Sequence, residues 1–189
     1  LESSGGDINA AIEFLRKKGA ASGAKRADRA ANEGMIVTRV SADGKSGVIV
    51  EVNCETDFVG RSDDFAAFSN TIAQAVGDLR PASVAVLMES TFNGKKIADI
   101  FDDLLAKVGE KVDVRRFAVF DSPDGTMSGY THLGNKIGVL VEMKGIDAAS
   151  AATSVGRDIA MQIAAMNPSV ISRDQIDNAS IEKELEIYR

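Results

Sequence analysis

The chain has 189 residues, 44% of them apolar and 26% charged, which is enough to bury the core of one compact domain or of two small lobes. Its 28 acidic and 22 basic residues give a formal net charge of -6, and this argues against nucleic acid or an anionic membrane as the main partner, because phosphate binding relies on clustered lysine and arginine. No apolar run approaches the ~20 residues that a membrane-spanning helix needs, and no charged-then-apolar signal segment opens the chain, so a protein surface is the favoured partner.

The first predicted element is a short helix near the start of the chain. Asp7 can cap this helix and Gly19 can end it, and its apolar residues keep the spacing of one buried face: Ile8, Ala11, Ile12 and Leu15. Because the helix begins almost at residue 1, we expect that elements preceding it are missing. The basic stretch from Arg16 to Arg29 is interpreted as a linker, and a solvated arm is favoured over a binding function there.

A β-hairpin is predicted next. Met35 to Val40 and Gly47 to Cys54 are rich in β-branched residues, and the Asp43-Gly44 pair between them favours a tight reversal. After a loop at residues 55–61, Ser62 can cap a helix that we expect to end at Gly77. The apolar face of that helix carries Phe65, Phe68, Ile72 and Val76.

Three further elements complete the first half of the chain. Pro81 is expected to start a short helical piece. A longer helix runs from about Lys96 to a stop at Gly109, and its inward side is formed by Ile97, Ile100, Phe101, Leu104, Leu105 and Val108. A strand follows from Val112 to Phe120. Arg115 and Arg116 interrupt the alternation of this strand, so at least one of them is expected to face solvent.

The second half repeats this pattern. Strands are predicted at residues 129–132 and 137–143, and a helix from about Ser150 to Met166 stops before Pro168. Residues 47–52 (GVIVEV) match residues 138–143 (GVLVEM) at an offset of 91, and the same offset aligns Phe68 with Ile159 and Ile72 with Ile163. Two related lobes are implied. A last helix from Ser180 carries Ile181, Leu185 and Tyr188 on one stripe, and because its pattern still runs at Arg189 we expect a truncated C-terminus.

The loop after the first hairpin is where the two lobes differ most. Its residues 53–59 (NCETDFV) are matched by residues 144–150 (KGIDAAS), so Asp57 and Phe58 have no counterpart and the scaffold does not require them. Two interpretations of Phe58 stay open: it folds back under Phe65 as a lid on the core, or it points outward as an interface anchor worth about 2–3 kcal/mol when buried in a partner. Asp57 could cap the following helix or reach basic and metal-binding groups of the partner.

Few residues are suited to catalysis. Cys54 is the only cysteine and His132 the only histidine, so neither an internal disulfide nor a cysteine-based or histidine-rich metal site is available, and a reducing compartment fits best. Cys54 is interpreted as a small buried residue, and a lone histidine beside a strand is more often structural. Because there is also no phosphate-binding glycine motif, we predict no catalytic residue, no metal and no cofactor.

Residues 50–59 (VEVNCETDFV) resemble the signature of the elongation factor Ts family, the exchange factors of the translational GTPase elongation factor Tu. Residues 6–16 (GDINAAIEFLR) resemble the end of that family's small N-terminal helical domain. Its core is resembled, in the same order and spacing, by residues 108–117, 130–132, 136–141 and 158–166. The resemblance covers nearly the whole chain. The family's first two helices, its helical dimerisation arm and its C-terminal segment have no counterpart here.

The resemblance implies a guanine nucleotide exchange factor of protein biosynthesis rather than an enzyme. In the family, the aromatic of the Thr-Asp-Phe motif pushes between helices near the magnesium and phosphate site of the GTPase, and the neighbouring acid assists. The partner-binding residues that the resemblance implies at this motif are Thr56, Asp57, Phe58 and Val59. Val108 and Gly109 match positions that receive a helix of the GTPase, although a plain helix stop would also explain the glycine, and His132 matches a histidine near the same partner.

The implied fold is α+β: two related small lobes, each an antiparallel hairpin or sheet packed with helices, after the remnant of a small N-terminal helical (UBA-like) domain. The expected ranges are 1–20 for this remnant, 21–33 for a linker, 34–125 and 126–179 for the two core lobes, and 180–189 for the start of a C-terminal helical segment. The expected partner is elongation factor Tu, without direct contact to nucleic acid or membrane, and a homodimer is expected if the C-terminal arm is present. The expected compartment is the bacterial cytoplasm, or an organelle matrix or stroma in a eukaryote.

Two other functions stay open on the residues alone. One is a non-catalytic interaction or scaffold module, for instance on the ribosome. The other, less favoured, is a small enzyme that uses Cys54 or Asp57 near His132 as nucleophile or acid-base pair. An outward Phe58 on an apolar patch would favour exchange or binding, whereas catalytic spacing would favour the enzyme.

Overall fold

The computed structural model describes residues 2–11, 13–14, 28–146 and 155–187. The predicted helix stop at Gly19, most of the predicted linker, the expected helix start at Ser150 and the stripe residue Tyr188 lie outside these residues. None of the helices within the described ranges is both long and apolar enough to cross a membrane.

The N-terminal segment contains a 3-10 turn at Glu2–Ser4 and helical residues 8–11 and 13–14. Asp7 caps the helical residues as predicted, because its Oδ1 accepts hydrogen bonds from the backbone N–H groups of Asn9 (2.8 Å) and Ala10 (3.1 Å). The expectation that Ile8 lies on a buried face was wrong, since its side chain is 68% exposed. A surface helix buries an apolar face only where another element packs against it.

The first sheet has three antiparallel strands in the order β1 (Glu33–Val40), β2 (Ser46–Cys54) and β5 (Val112–Asp121). The predicted hairpin is confirmed, with Gly44 at a left-handed φ of 67° in its turn. A bulge opposite Glu51 shifts the register of β5, because Glu51 pairs with Arg116 whereas Val52 pairs with Val114. The bulge leaves Arg115 as well as Arg116 exposed, where both guanidinium groups face the Glu51 carboxylate.

Four helices and a small hairpin follow β2 and pack on one face of this sheet. They are α1 (Asp57–Gly60), α2 (Asp63–Leu79), α3 (Val84–Glu89), the hairpin of β3 (Thr91–Phe92) and β4 (Lys95–Lys96), and α4 (Ile97–Val108). Ser62 caps α2 as predicted, since its Oγ accepts from the Phe65 N–H at 3.3 Å. The predicted face of α2 forms the centre of the core together with residues of β2: Phe65, Phe68, Ile72, Val76, Val50 and Val52.

Two predicted helix boundaries were wrong. Gly77 does not end α2; the helix runs on to Leu79, and Arg80 takes the left-handed cap position with its N–H bonded to the Val76 carbonyl. Gly77 instead lies where α2 approaches the sheet, because a Cβ there would sit 3.4 Å from Val48 Cγ2. The short helix near Pro81 begins only at Val84, after Ser83, whose hydroxyl caps it.

The second half forms a hairpin and a helix, as predicted. Strand β6 spans Gly125–Thr131, β7 spans Gly138–Lys144, and α5 spans Gly156–Met166. β6 therefore begins four residues earlier than residue 129. After a 3-10 turn at Arg173–Gln175, α6 spans Asn178–Ile187, two residues ahead of the predicted start at Ser180.

The β6–β7 hairpin packs on the face of the first sheet that the helices leave free. Thr38 Oγ1 of β1 lies 2.9 Å from Thr131 Oγ1 of β6, and a Cβ at Gly138 would lie 2.5 Å from Ile36 Cγ2. Helix α5 covers the far side of the hairpin, where Gly156 packs against Ser128. The fold is thus α+β, with small antiparallel sheets packed with helices; the UBA-like remnant and the exact lobe boundaries remain predictions.

Candidate functional site

Residues 57–60 form a single helical turn, α1, rather than an irregular loop. Thr56 is its cap: the backbone of Thr56 is extended, and its Oγ1 accepts from the Val59 N–H at 3.4 Å. Val59 points inward and packs against the core, whereas the Phe58 side chain is 83% exposed. The interpretation of Phe58 as a lid on the core was therefore wrong, and the ring projects outward.

Asp57 does not cap a helix, because Thr56 caps α1 and Ser62 caps α2. The Asp57 carboxylate instead forms an i,i+4 ion pair with Arg61 at 3.1 Å. Both side chains are substantially exposed, at 45% and 82%, so solvent reaches this pair. An exposed ion pair of this kind contributes little to the free energy of folding, so the Asp57 carboxylate can pair with a different cation with little loss of stability.

The turn is tied to the segment that follows α4. The Glu110 carboxylate accepts from both donors of Thr56, the backbone N–H at 3.1 Å and the hydroxyl at 2.8 Å. In the opposite direction, Glu55 Oε1 accepts from the backbone N–H of Lys111 at 2.6 Å. These bonds hold α1 beside the C-terminus of α4.

Val108 and Gly109 lie at that C-terminus. Val108 is half-buried against the core, and Gly109 is exposed with a left-handed φ of 70° and an N–H bonded to the Leu105 carbonyl at 3.1 Å. The helix stop predicted at Gly109 is confirmed and by itself accounts for a glycine. A role of Val108 and Gly109 in receiving a partner helix stays a prediction.

His132 lies in the turn between β6 and β7, just past the end of β6, and its side chain is exposed. Its backbone N–H donates to the Ile137 carbonyl (2.9 Å) and its carbonyl accepts from the Asn135 N–H (2.9 Å), so the turn is well ordered by hydrogen bonds. The Tyr130 hydroxyl is 2.7 Å from His132 Nδ1. Leu133, the next residue, is 90% exposed.

The two turns lie at the same end of the molecule. In the first sheet, Glu33, Cys54 and Val112 are opposite one another, so the start of β1 and the end of β2 lie at the end where β5 begins. The β6–β7 turn reaches this end as well, because Lys136 Nζ donates to the Gly34 carbonyl at 2.9 Å. Gly60 of α1 packs against that same Gly34. The structure therefore gathers all seven predicted partner-binding residues at one end.

Cys54 is fully buried at this end, and its thiol donates to the Thr56 carbonyl at 3.1 Å. Burial, followed by the charge of Glu110, raises the pKa of the Cys54 thiol to about 11. The thiol is therefore protonated at neutral pH and cannot serve as a thiolate nucleophile. This argues against an enzyme built on Cys54 and confirms the interpretation of Cys54 as a small buried residue.

Two residues at this end were missed by the sequence interpretation. Glu110 carries no local signal, because it contacts Thr56 across 54 positions of sequence. Leu133 does carry one: it is a large apolar residue between a histidine and a glycine in a turn, where polar residues are usual. Among the residues that the structure describes, no group of three or more histidine, cysteine or acidic side chains could hold a metal ion.

Comparison with known proteins identifies the family. A sequence model described as "Elongation factor TS" matches residues 55–189 and so includes the whole candidate site. The elongation factors Ts of Chlorobium phaeobacteroides (strain BS1) and Prosthecochloris aestuarii (strain DSM 271 / SK 413) are 44% and 42% identical over 193 residues, which covers 100% of this chain and 67% of each relative.

A third relative gives the same result from another lineage. The elongation factor Ts of Clostridium botulinum (strain Alaska E43 / Type E3) is 43% identical over 190 residues, covering 100% of this chain and 63% of that protein. The chain thus spans about two thirds of the length of these relatives. The resemblance found at the signature residues 50–59 is confirmed, and the chain belongs to the elongation factor Ts family of translation elongation factors.

Proposed function

We propose that the chain is a guanine nucleotide exchange factor for elongation factor Tu, and that it releases GDP by wedging Phe58 and Asp57 near the magnesium and phosphate site of the GTPase. The observation that carries this proposal is the 83% exposure of Phe58 on a turn that is otherwise fixed from both sides. Membership of the chain in the elongation factor Ts family supports elongation factor Tu as the partner.

The geometry of α1 suits an anchor. The partly buried Val59 and the Thr56 cap restrain the backbone of α1, so this backbone need not be ordered when the Phe58 ring enters a partner. Transfer of an exposed phenylalanine into a partner pocket is worth about 2–3 kcal/mol. The exposed pair of Asp57 with Arg61 leaves the acid free to exchange its cation for one on the partner.

The proposed mechanism needs no covalent step. Magnesium and a phosphate-cradling loop hold a nucleotide largely by charge, so displacing them weakens nucleotide binding directly. The effect is reciprocal: if the chain lowers the affinity for GDP by some factor, GDP lowers the affinity for the chain by the same factor.

Phe58 cannot supply the whole effect. A nanomolar nucleotide complex holds about 12 kcal/mol, several times what one aromatic side chain contributes. The further contacts proposed are Val108 and Gly109 beside α1, and His132 with the exposed Leu133 on the β6–β7 turn. Their placement at one end allows a single partner surface to meet them all. The proposed compartment is the bacterial cytoplasm, or an organelle matrix or stroma.

The proposal is tested by mixing the chain with elongation factor Tu loaded with fluorescent GDP and recording the release rate in a stopped-flow instrument. We expect the rate to rise with the concentration of the chain and then to saturate. A release rate that does not depend on the concentration of the chain would contradict the proposal.

A further inference from the structure

We propose that Glu110 is a positioning residue, which holds the cap of α1 so that Phe58 and the end of α4 meet a partner as one unit. This inference rests on the function proposed above and adds to it the residue that orients the anchor. Glu110 is not itself required to touch the partner.

The cap of α1 is incomplete within its own segment. In a capping box, the threonine cap bonds the N–H of the third helical residue, and a glutamate at that third position bonds the N–H of the cap in return. The third helical residue here is Val59, which has no acceptor in its side chain. Glu110 takes that place from another segment, since its Oε2 accepts from the Thr56 N–H at 3.1 Å and its Oε1 from the hydroxyl at 2.8 Å.

The contact between residues 55–56 and residues 110–111 is reciprocal. Glu55 precedes Thr56 and bonds the backbone N–H of Lys111, while Glu110 precedes Lys111 and bonds Thr56. Each segment thus offers a carboxylate to the main chain of the other, and hydrogen bonds to ionised acceptors are the stronger kind. We call this pair of carboxylate contacts, Glu110 with Thr56 and Glu55 with Lys111, the double latch.

The double latch restrains the turn that carries Phe58. A single helical turn has no stability of its own, so the direction of Phe58 depends on what holds the turn. Val59 holds it from the core side and Glu110 from the side of α4. Because Glu110 directly follows Gly109, a partner that presses on the end of α4 moves the cap of α1 with it. The two predicted contact regions are therefore coupled.

The variant Glu110→Gln tests the latch on the chain alone. The amide keeps the size of the side chain but carries no charge and only one acceptor oxygen, so one of the two Thr56 donors loses its carboxylate acceptor and the other bond is no longer charge-assisted. We expect amide hydrogen exchange at residues 56–61 to accelerate about tenfold, the effect of losing one charge-assisted bond, with the amides of β1 and β2 unchanged. Thr56→Ser keeps both donors and should exchange like wild type.

The matched control is Glu142→Gln. Glu142 accepts a similar bond, from the Ser122 hydroxyl at 2.8 Å, but lies in the second lobe. We expect no acceleration at residues 56–61 in this variant. If the amides of residues 56–61 exchanged as slowly in Glu110→Gln as in wild type, the proposed role of the double latch would be overturned.

A double-mutant cycle with Phe58→Ala distinguishes positioning from direct contact. We expect Glu110→Gln to lower stimulated GDP release about tenfold when Phe58 is present, and to have no further effect in the Phe58→Ala background. An equal loss in both backgrounds would overturn the role of Glu110 in orienting Phe58. A wild-type chain that fails to stimulate release would overturn the proposed function instead. Amide hydrogen exchange at residues 56–61 would still show whether the double latch holds α1.

Discussion

Phe58 and Val59 are adjacent in α1 and face opposite environments. Val59 packs against the core and Phe58 is 83% exposed, so one residue fixes the turn that presents the other. An exposed aromatic costs solvation and gives the isolated chain no packing in return. The exposed ring therefore adds little packing to the fold, and its role as an anchor for a partner stays the proposal made above.

Cys54 allows a prediction about pH at the scale of one residue. Its pKa is raised from 9.0 to about 11 in the folded chain, so between these values the unfolded chain loses a proton that the folded chain keeps. The contribution of Cys54 to stability is fully present below pH 9 and is lost as the pH rises through 11. We expect the free energy of unfolding to fall by up to about 2 kcal/mol from this group.

The measurement is urea unfolding of the wild-type chain and of Cys54→Ala between pH 8 and pH 11. Lysine and tyrosine titrate in the same range, but they are common to both chains, so the difference between the two curves isolates Cys54. Parallel curves over this range would contradict the raised pKa.

At the scale of elements, two glycines that lie in helices differ in the space beside them. Gly77 lies within α2 and has room for a methyl group, 3.4 Å from Val48 Cγ2, whereas a Cβ at Gly156 would overlap the Ser128 side chain. We expect Gly77→Ala to be neutral or to stabilise by about 0.5–1 kcal/mol through better helix propensity. We expect Gly156→Ala to destabilise by about 1–3 kcal/mol, because α5 must move away from β6.

Thermal unfolding of the two variants against wild type checks this pair. Each variant adds one methyl group within a helix, so each serves as the control for the other. A Gly156→Ala variant as stable as wild type would show that the packing of α5 on β6 is looser than described, and a loss of stability in Gly77→Ala would contradict the room described beside Val48.

Much of the element order could be predicted from the sequence, because periodicity and caps are local. Ser62, Gly109 and the Asp43-Gly44 turn acted as predicted. The end of α2 could not be predicted, because packing of Gly77 against Val48 and the left-handed conformation of Arg80 are tertiary outcomes. The direction of Phe58 and the contact of Glu110 with Thr56 likewise depend on which segments meet in space, and no spacing in the sequence encodes that.

At the scale of the whole molecule, the two halves differ in how much apolar surface they bury. Among the described residues, the main buried cluster lies between Met35 and Val114, within the first half. In the second half, Met127 and Ala160 are buried, but α5 leaves Ile159 and Met166 40% and 69% exposed. The repeat found in the sequence is thus a repeat of elements, not of packing.

We therefore expect the β6–β7 hairpin to open more readily than the first sheet. Local opening costs less where fewer apolar contacts must be broken. Native-state amide exchange should show lower protection for β6 and β7 than for β1 and β2, which serve as the internal reference. Equal protection in both sheets would mean that the molecule opens only as one cooperative unit.

The central claim is that outward-facing Phe58 drives nucleotide release, and its most direct test is stopped-flow release of fluorescent GDP from elongation factor Tu by Phe58→Ala. Val86→Ala is the control, because Val86 on α3 is also an exposed apolar residue, 47% exposed, outside the site. Since burying a phenylalanine is worth about 2–3 kcal/mol, we expect stimulation to fall about 30-fold or more in Phe58→Ala, with unchanged thermal stability, and to stay at the wild-type level in Val86→Ala. Stimulation by Phe58→Ala at the wild-type rate would contradict the account.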